Sequence, residues 1–255
     1  GQFHQNNVVR NNDFYKVFIL EEVGNNITYE GNHFYEMAGL RPLQIWGSNH
    51  RVIGNYVNGG VFGLSLLGKH NIAAARRPCT GNVFSGNIVL NTSEEGISMD
   101  VVGNVAAETV IREYDTVATT PGSSVITLSS ANWSAQTTYT GSVYDLVFVT
   151  GTLAGKRYKI TTHSGASFTL SGVSSDYASI QVGDGVSIQL SCYGNTIANN
   201  IVIPALIEGR DFSSGIVLHG TGTENTVANN VVYGVDNGAG SFDNYAIREA
   251  NLNGI

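Results

Sequence analysis

Proline, methionine and tryptophan are scarce in this chain of 255 residues, with four, two and two respectively. Cysteine is as rare. Cys79 and Cys192 are the whole supply, which excludes a small scaffold stapled by disulfides. The two fall on different coils of the repeat described below, so they are expected to be lone buried thiols. Charged residues make up only 13% of the chain, with a formal net charge of −7. That balance argues against a broad nucleic-acid surface, which would be strongly basic. No apolar run approaches the length of a membrane span, no signal peptide is visible, and no stretch reads as a helix.

Glycine is plentiful, at 31 residues, and 42% of the chain is apolar. Many turns and ample apolar side chains suit an all-β protein with a sizeable core.

The chain is organised by an internal repeat: an apolar residue, two spacers, Asn, one spacer, another apolar residue. It stands out at Ile197-Ala198-Asn199-Asn200-Ile201-Val202, at Val227 to Val232 around Asn230, and at Phe84 to Val89 around Asn87. Looser copies surround Asn12, Asn32 and Asn55, and an imperfect one runs from Ala106 to Ile111. Alternation of apolar residues predicts strands, and Asn or Gly at fixed offsets predicts turns. Each copy is followed by a second alternating run: Leu43-Gln44-Ile45, Leu64-Ser65-Leu66, Ile97-Ser98-Met99, Ile188-Gln189-Leu190, Ile216-Val217-Leu218 and Tyr245-Ala246-Ile247. The gap before that second run varies widely, while the gap after it is short and nearly constant.

One strong turn, one tight corner and one variable loop per coil of roughly 20 to 30 residues predict a parallel β-solenoid. Stacked coils bring equivalent Asn residues about 4.8 Å apart, so their amides can bond in a ladder. Asn also tolerates the left-handed backbone of a tight turn. The organisation expected is coils over 1–111, a small inserted β-domain over 112–184, and further coils over 185–255. The insertion is too long for a bare loop. Its strands are expected near Ser124–Leu128, Asp145–Thr150, Arg157–Thr162 and Ser167–Leu170. Repeat fragments without polar caps at both ends lead us to expect a piece of a longer chain.

The repeat resembles that of right-handed parallel β-helix proteins, the pectate-lyase-like superfamily of carbohydrate-active enzymes and phage tailspikes. The cadence of Leu40-Arg41-Pro42-Leu43-Gln44-Ile45-Trp46-Gly47-Ser48-Asn49-His50-Arg51-Val52-Ile53-Gly54-Asn55-Tyr56-Val57 is similar to alginate- and chondroitin-lyase-type coils. Within the insertion, Val149 to Ile160 and Val182-Gly183-Asp184-Gly185-Val186 resemble a module of phage structural proteins and some bacterial β-helix proteins. The resemblance implies a polysaccharide partner and an extracellular or virion-surface location. It implies no nucleic acid or membrane as a partner.

Variable loops wall one face of a solenoid, so the second strand of each coil is where a ligand line is expected. Its outward column reads Trp46, Leu67, Asp100, Ser191, His219 and Arg248, passing from apolar to ionisable. Asp100, His219 and Arg248 are the candidate catalytic residues. A lyase needs a cation against a uronate and a base for the adjacent proton, for which His219 with Arg248, or Arg41 with Lys69 and His70, are candidates. A glycosidase needs two carboxyl groups roughly 5 to 10 Å apart, for which Asp100 with Glu95, or Glu208 with Asp211, are candidates. Trp46, Arg41, Lys69, Glu95, Arg210 and Asp211 are the candidate substrate-binding residues. Trp133, Tyr139, Tyr144 and Tyr158 of the insertion can stack on sugar rings or form a small core. Acidic and amide residues in the turns are compatible with calcium, but no spaced run of oxygen ligands marks a site, so no cofactor is expected. The alternative function is a non-catalytic, homotrimeric tailspike or surface adhesin that binds glycan.

Overall fold

The computed structural model describes residues 4–17, 19–37, 41–67, 78–100, 112–119, 121, 123–129, 144–172, 176–205, 214–219, 224–234 and 246–250. The chain divides into two compact units, Gly1–Val105 with Cys192–Ile255, and Ala106–Ser191.

The first unit is an all-β parallel solenoid made of three stacked parallel sheets. The first sheet holds His4–Gln5, Ile19–Asn25, Arg41–Ser48, Leu64–Leu67, Glu95–Asp100, Ser214–His219 and Ile247–Ala250, in that spatial order. The second holds Val8–Arg10, Thr28–Glu30, Arg51–Ile53, Val83–Ser85, Thr196–Ala198 and Thr226–Ala228. The third holds Asp13–Tyr15, His33–Met37, Tyr56–Gly59, Ile88–Leu90, Ile201–Ile203 and Val231–Val232. Stacking continues across the second unit: Val83–Ser85 pairs directly with Thr196–Ala198, and Glu95–Asp100 with Ser214–His219.

The repeat's apolar positions form the core. Tyr29, Val52, Phe84 and Ile197 stack in the second sheet, and Phe34, Val57, Val89 and Val202 in the third, all at 1% exposure or less. The Phe14 and Phe34 rings stack at 4.8 Å. Burial of each such side chain contributes about 1.5–3 kcal/mol.

The corner between the second and third sheets is held by Asn12, Asn32, Asn55, Asn87, Asn200 and Asn230. In the middle of the ladder, the backbone N–H and Nδ2 of Asn55 both donate to Asn87 Oδ1, at 2.9 and 3.0 Å. The other Nδ2 proton of Asn55 goes to Tyr29 O at 3.0 Å. Asn55 Oδ1 accepts the same pair from Asn32. Both donors and both acceptor sites of the amide are used, so burial leaves no polar cost outstanding. The left-handed turn is made by the preceding residue: Asn11, Gly31, Gly54, Gly86, Asn199 and Asn229 all have φ between 54° and 67°. Ladder and turn are therefore the work of adjacent residues, where the sequence suggested one residue for both.

A second ladder closes the corner between the first and second sheets. Asn82 donates through N and Nδ2 to Asn195 Oδ1, and Asn195 likewise to Asn225 Oδ1. His50 takes the place of an asparagine in this column, and its backbone N–H donates to Asn82 Oδ1 at 2.8 Å. Cys79 and Cys192 lie beside the ladder as fully buried thiols rather than a disulfide. Asn195 Nδ2 donates to Cys79 O at 2.8 Å and approaches Cys192 Sγ at 3.6 Å.

The second unit is an antiparallel sheet in the order Arg112–Thr116, Gly185–Leu190, Tyr144–Phe148, Arg157–Ser164, Ser167–Leu170, Val125–Thr127. Leu146, Phe148, Ile160, Phe168, Val186 and Ile188 make its core. Gly185–Leu190, expected to rejoin the solenoid as the second strand of coil five, belongs to this sheet, paired with Arg112–Thr116 on one side and Tyr144–Phe148 on the other. The Val-x-Ile-x-Leu alternation is the same for a solenoid strand and for an antiparallel strand with one apolar face. The segments Val149–Ile160 and Val182–Val186 meet: Gly185 N donates to Thr150 Oγ1 at 2.6 Å, and a Cβ on Gly151 would strike Asp184 Oδ1.

Candidate functional site

The expected ligand line lies on the first sheet. In the observed register Trp46 stands opposite Leu67, Leu67 opposite Asp100, and Asp100 opposite His219. Asp100 and His219 are thus direct neighbours on adjacent strands, about 4.8 Å apart in backbone. Two members of the expected column fall elsewhere. Ser191 belongs to the second unit, where Lys159 Nζ donates to its Oγ at 2.6 Å. Arg248 stands opposite Val217, and Ala250 takes the position opposite His219. The register is shifted by two, with Ile247 opposite Ile216 rather than Leu218. Arg248 is therefore a diagonal neighbour of His219 in the register, two residues or about 7 Å back along the strand.

Glu95 opens the strand that Asp100 closes and pairs with Ser214. The two acids are five residues apart on one strand, with Cα atoms about 16 Å apart. Arg41 is largely buried, donates to Gln44 Oε1 at 3.2 Å, and sits over the Phe62 ring at 4.3 Å. Lys69, His70, Glu208, Arg210 and Asp211 lie outside the described residues.

Both alternate sets of this strand column are buried. Leu43, Ile45, Leu64, Leu66, Ile97 and Met99 are at 0–1% exposure, and so are Trp46, Ser65, Leu67, Ser98 and Val217. Trp46 is consequently a packed side chain rather than an open stacking surface. In the second unit Tyr144 and Tyr158 are core residues, at 1% and 6% exposure. Tyr158 Oη donates to Asp176 Oδ2 at 2.7 Å, and burial, then that carboxylate, push its phenol well above the usual range. Trp133 and Tyr139 lie outside the described residues.

Among the described residues, the third sheet carries a cluster of outward aromatic side chains, with Tyr15 exposed and Tyr35 and Tyr56 half-buried. Tyr15 is 59% exposed and stands opposite Tyr35. His33 stands between Asp13 and Tyr56. The Tyr35 and Tyr56 rings are 5.9 Å apart, and His33 meets both edge-on. Tyr35 Oη lies 2.9 Å from His33 Nδ1, which lies 3.1 Å from Asp13 Oδ1. Tyr15 Oη donates to Glu36 Oε2 at 3.0 Å, and Lys16 Nζ pairs with the same oxygen at 3.3 Å. The Tyr15 hydroxyl, and then Lys16, hold the Glu36 carboxyl below its ordinary range. The outward strand alternation placed these residues, but no repeat position demands an aromatic there.

A polar recess of about 320 Å³ lies at the other corner, lined by Gln5, Asn25, Asn26, Ser48, Asn49 and Pro78 among others. It holds amides and a hydroxyl but no ionisable side chain. Ser48 Oγ is already engaged, donating to Pro78 O at 3.1 Å and receiving Thr80 N at 3.1 Å. Among the described residues no group of three or more His, Cys, Asp or Glu side chains is arranged to hold a metal ion. No helix among them is long and apolar enough to cross a membrane.

No family model matches this chain, and no curated protein matches it significantly.

Proposed function

We propose that this chain binds an extracellular or capsular polysaccharide and cleaves it at the Asp100–His219 position of the solenoid. One observation carries the reading: an acid and a base stand directly opposite each other on adjacent parallel strands, with Arg248 on the diagonal. His219 takes a proton in this scheme, Asp100 gives or receives one, and Arg248 balances charge that develops on the substrate. The repeat's resemblance to right-handed, pectate-lyase-like β-helix proteins agrees with a glycan partner and with an extracellular or virion-surface location. Fold resemblance alone does not choose among their activities.

A second reading, a non-catalytic and homotrimeric tailspike or adhesin, is favoured by the burial of Trp46, Leu67, Ser98 and Val217 along the same line. A panel of acidic and neutral polysaccharides separates the two. Ultraviolet absorbance with new reducing ends identifies a lyase, and new ends alone a hydrolase. Binding without either supports the adhesin.

A further inference from the structure

The third sheet of the solenoid has an outer face that the proposed chemistry does not use. Three coils place Tyr15, Tyr35, His33 and Tyr56 on it as one cluster. From Tyr56 the same column continues through Ile88, Ile201 and Val231, residue opposite residue on successive coils. Ile88, Ile201 and Val231 are 38%, 40% and 57% exposed. Aliphatic and aromatic side chains exposed in a continuous row are unusual on a soluble surface and mark a place where something docks.

The chemistry of the row narrows what docks there. Each tyrosine carries a hydroxyl beside its apolar ring face; that of Tyr15 meets Glu36 and that of Tyr35 meets His33, which in turn meets Asp13. A sugar ring has the complementary make-up, with apolar C–H faces and a rim of hydroxyls that both donate and accept. The row advances about 4.8 Å per coil, close to the length of one sugar unit, so an extended glycan laid along the solenoid axis meets a new coil with each residue. Lys16 on this face is paired with Glu36, and Asp13 lies beside His33. No uncompensated cation is left among these residues to hold a carboxylate, and Asp13 is 75% exposed in its side chain, where it would repel one.

We infer that the Tyr15–Tyr35–Tyr56 face, extended by Ile88, Ile201 and Val231, is a binding platform for a neutral polysaccharide running along the solenoid axis. The inference rests on the proposed polysaccharide partner for its ligand class, but not on cleavage at Asp100 and His219.

The test is affinity electrophoresis of the whole chain through gels containing a neutral β-glucan or a polyuronate. The wild type is compared with Tyr15→Ala and with the triple variant Tyr15→Ala, Tyr35→Ala, Tyr56→Ala. Circular dichroism and light scattering monitor fold and mass. Tyr15 is exposed enough for the single variant to report even if the triple variant fails to fold. The expected result is retardation by the glucan, weakened about two- to tenfold by Tyr15→Ala and further by the triple change. Equal glucan retardation of the wild type and a folded triple variant overturns the platform while leaving the polysaccharide partner standing. Retardation by the polyuronate alone overturns the neutral class. A drop in mass on substitution, without any change in glycan binding, assigns the face to a second copy of the chain and overturns the inference. No retardation of the wild type in either gel removes both this inference and the binding half of the proposed function.

Discussion

His50 Nδ1 accepts the backbone N–H of Ile27 at 3.3 Å, the place that an asparagine Oδ1 fills on the later coils. Its Nε2 faces Trp46 O at 3.1 Å and must carry the proton. The ladder thus needs the neutral ring, and burial pushes the imidazole below its ordinary value of 6.5 despite the backbone carbonyls around it. The unfolded chain therefore binds a proton more readily than the folded one. This contribution to stability is complete above about pH 6.5 and is lost as pH falls from there toward the folded value. The urea midpoint is expected to drop between pH 7.5 and 5.5, and to drop less in His50→Asn, which keeps an acceptor for Ile27. An equal drop in both proteins would remove His50 as the cause.

Asparagines at the centre of the first ladder should matter more than those at its end. Asn87 is fully buried, whereas Asn12 is exposed. Asn87→Ala strips the acceptor from two donors of Asn55, removes the side-chain donor to Val52 O, and leaves Asn200 Oδ1 with only the backbone N–H of residue 87. A loss of about 2–4 kcal/mol is expected for Asn87→Ala, and of about 1 kcal/mol or less for Asn12→Ala. Chemical denaturation of both variants checks the order.

Two glycines separate backbone strain from crowding. Gly54 has φ 62° with open space where a Cβ would stand, so Gly54→Ala should cost about 1–2 kcal/mol for the left-handed backbone alone, and Gly54→Asn less. Gly96 has no such backbone, but its Cβ would strike Val202 Cγ1 and lie 2.8 Å from Gly215 O. Gly96→Ala is expected to cost about 3 kcal/mol. Adding Val202→Ala to that variant should cost less than Val202→Ala does in the wild type. Additive losses in this cycle would show that the two side chains do not compete for the space.

In the second unit, fully buried Asp145 pairs with Arg157 at 3.1 Å and Lys159 at 2.8 Å. Asp145→Ala removes the carboxylate and leaves two cations facing each other in a mostly buried setting, at a cost of about 3–5 kcal/mol. Thermal unfolding of the variant should show that loss, and replacing Arg157 and Lys159 by Met in the same chain should recover much of it.

The solenoid was legible because its ladder residues repeat at a fixed offset from the apolar positions, as at Asn87, Asn200 and Asn230. The second ladder was harder to see because Ile27 and His50 interrupt it. Alternation identified Gly185–Leu190 as a strand but not its partners, which depend on residues far along the chain. Of the candidate site, the expected column put Ser191 between Asp100 and His219, and the two are direct neighbours because Gly185–Leu190 belongs to the antiparallel sheet instead. Arg248 slipped by two, with Ile247 opposite Ile216 in place of Leu218. Burial of Trp46 could not be read at all, since alternation says which side a residue takes and not what covers that side.

The most direct test of the central claim follows the viscosity and reducing ends of a polysaccharide solution with the wild-type chain and with Asp100→Asn/His219→Gln. The account predicts that the wild type cuts at least one polymer of the panel, and that the double variant binds the same polymer with its cutting rate reduced at least 100-fold. Equal cutting by both proteins, or binding by the wild type with no cutting of any polymer, would contradict it.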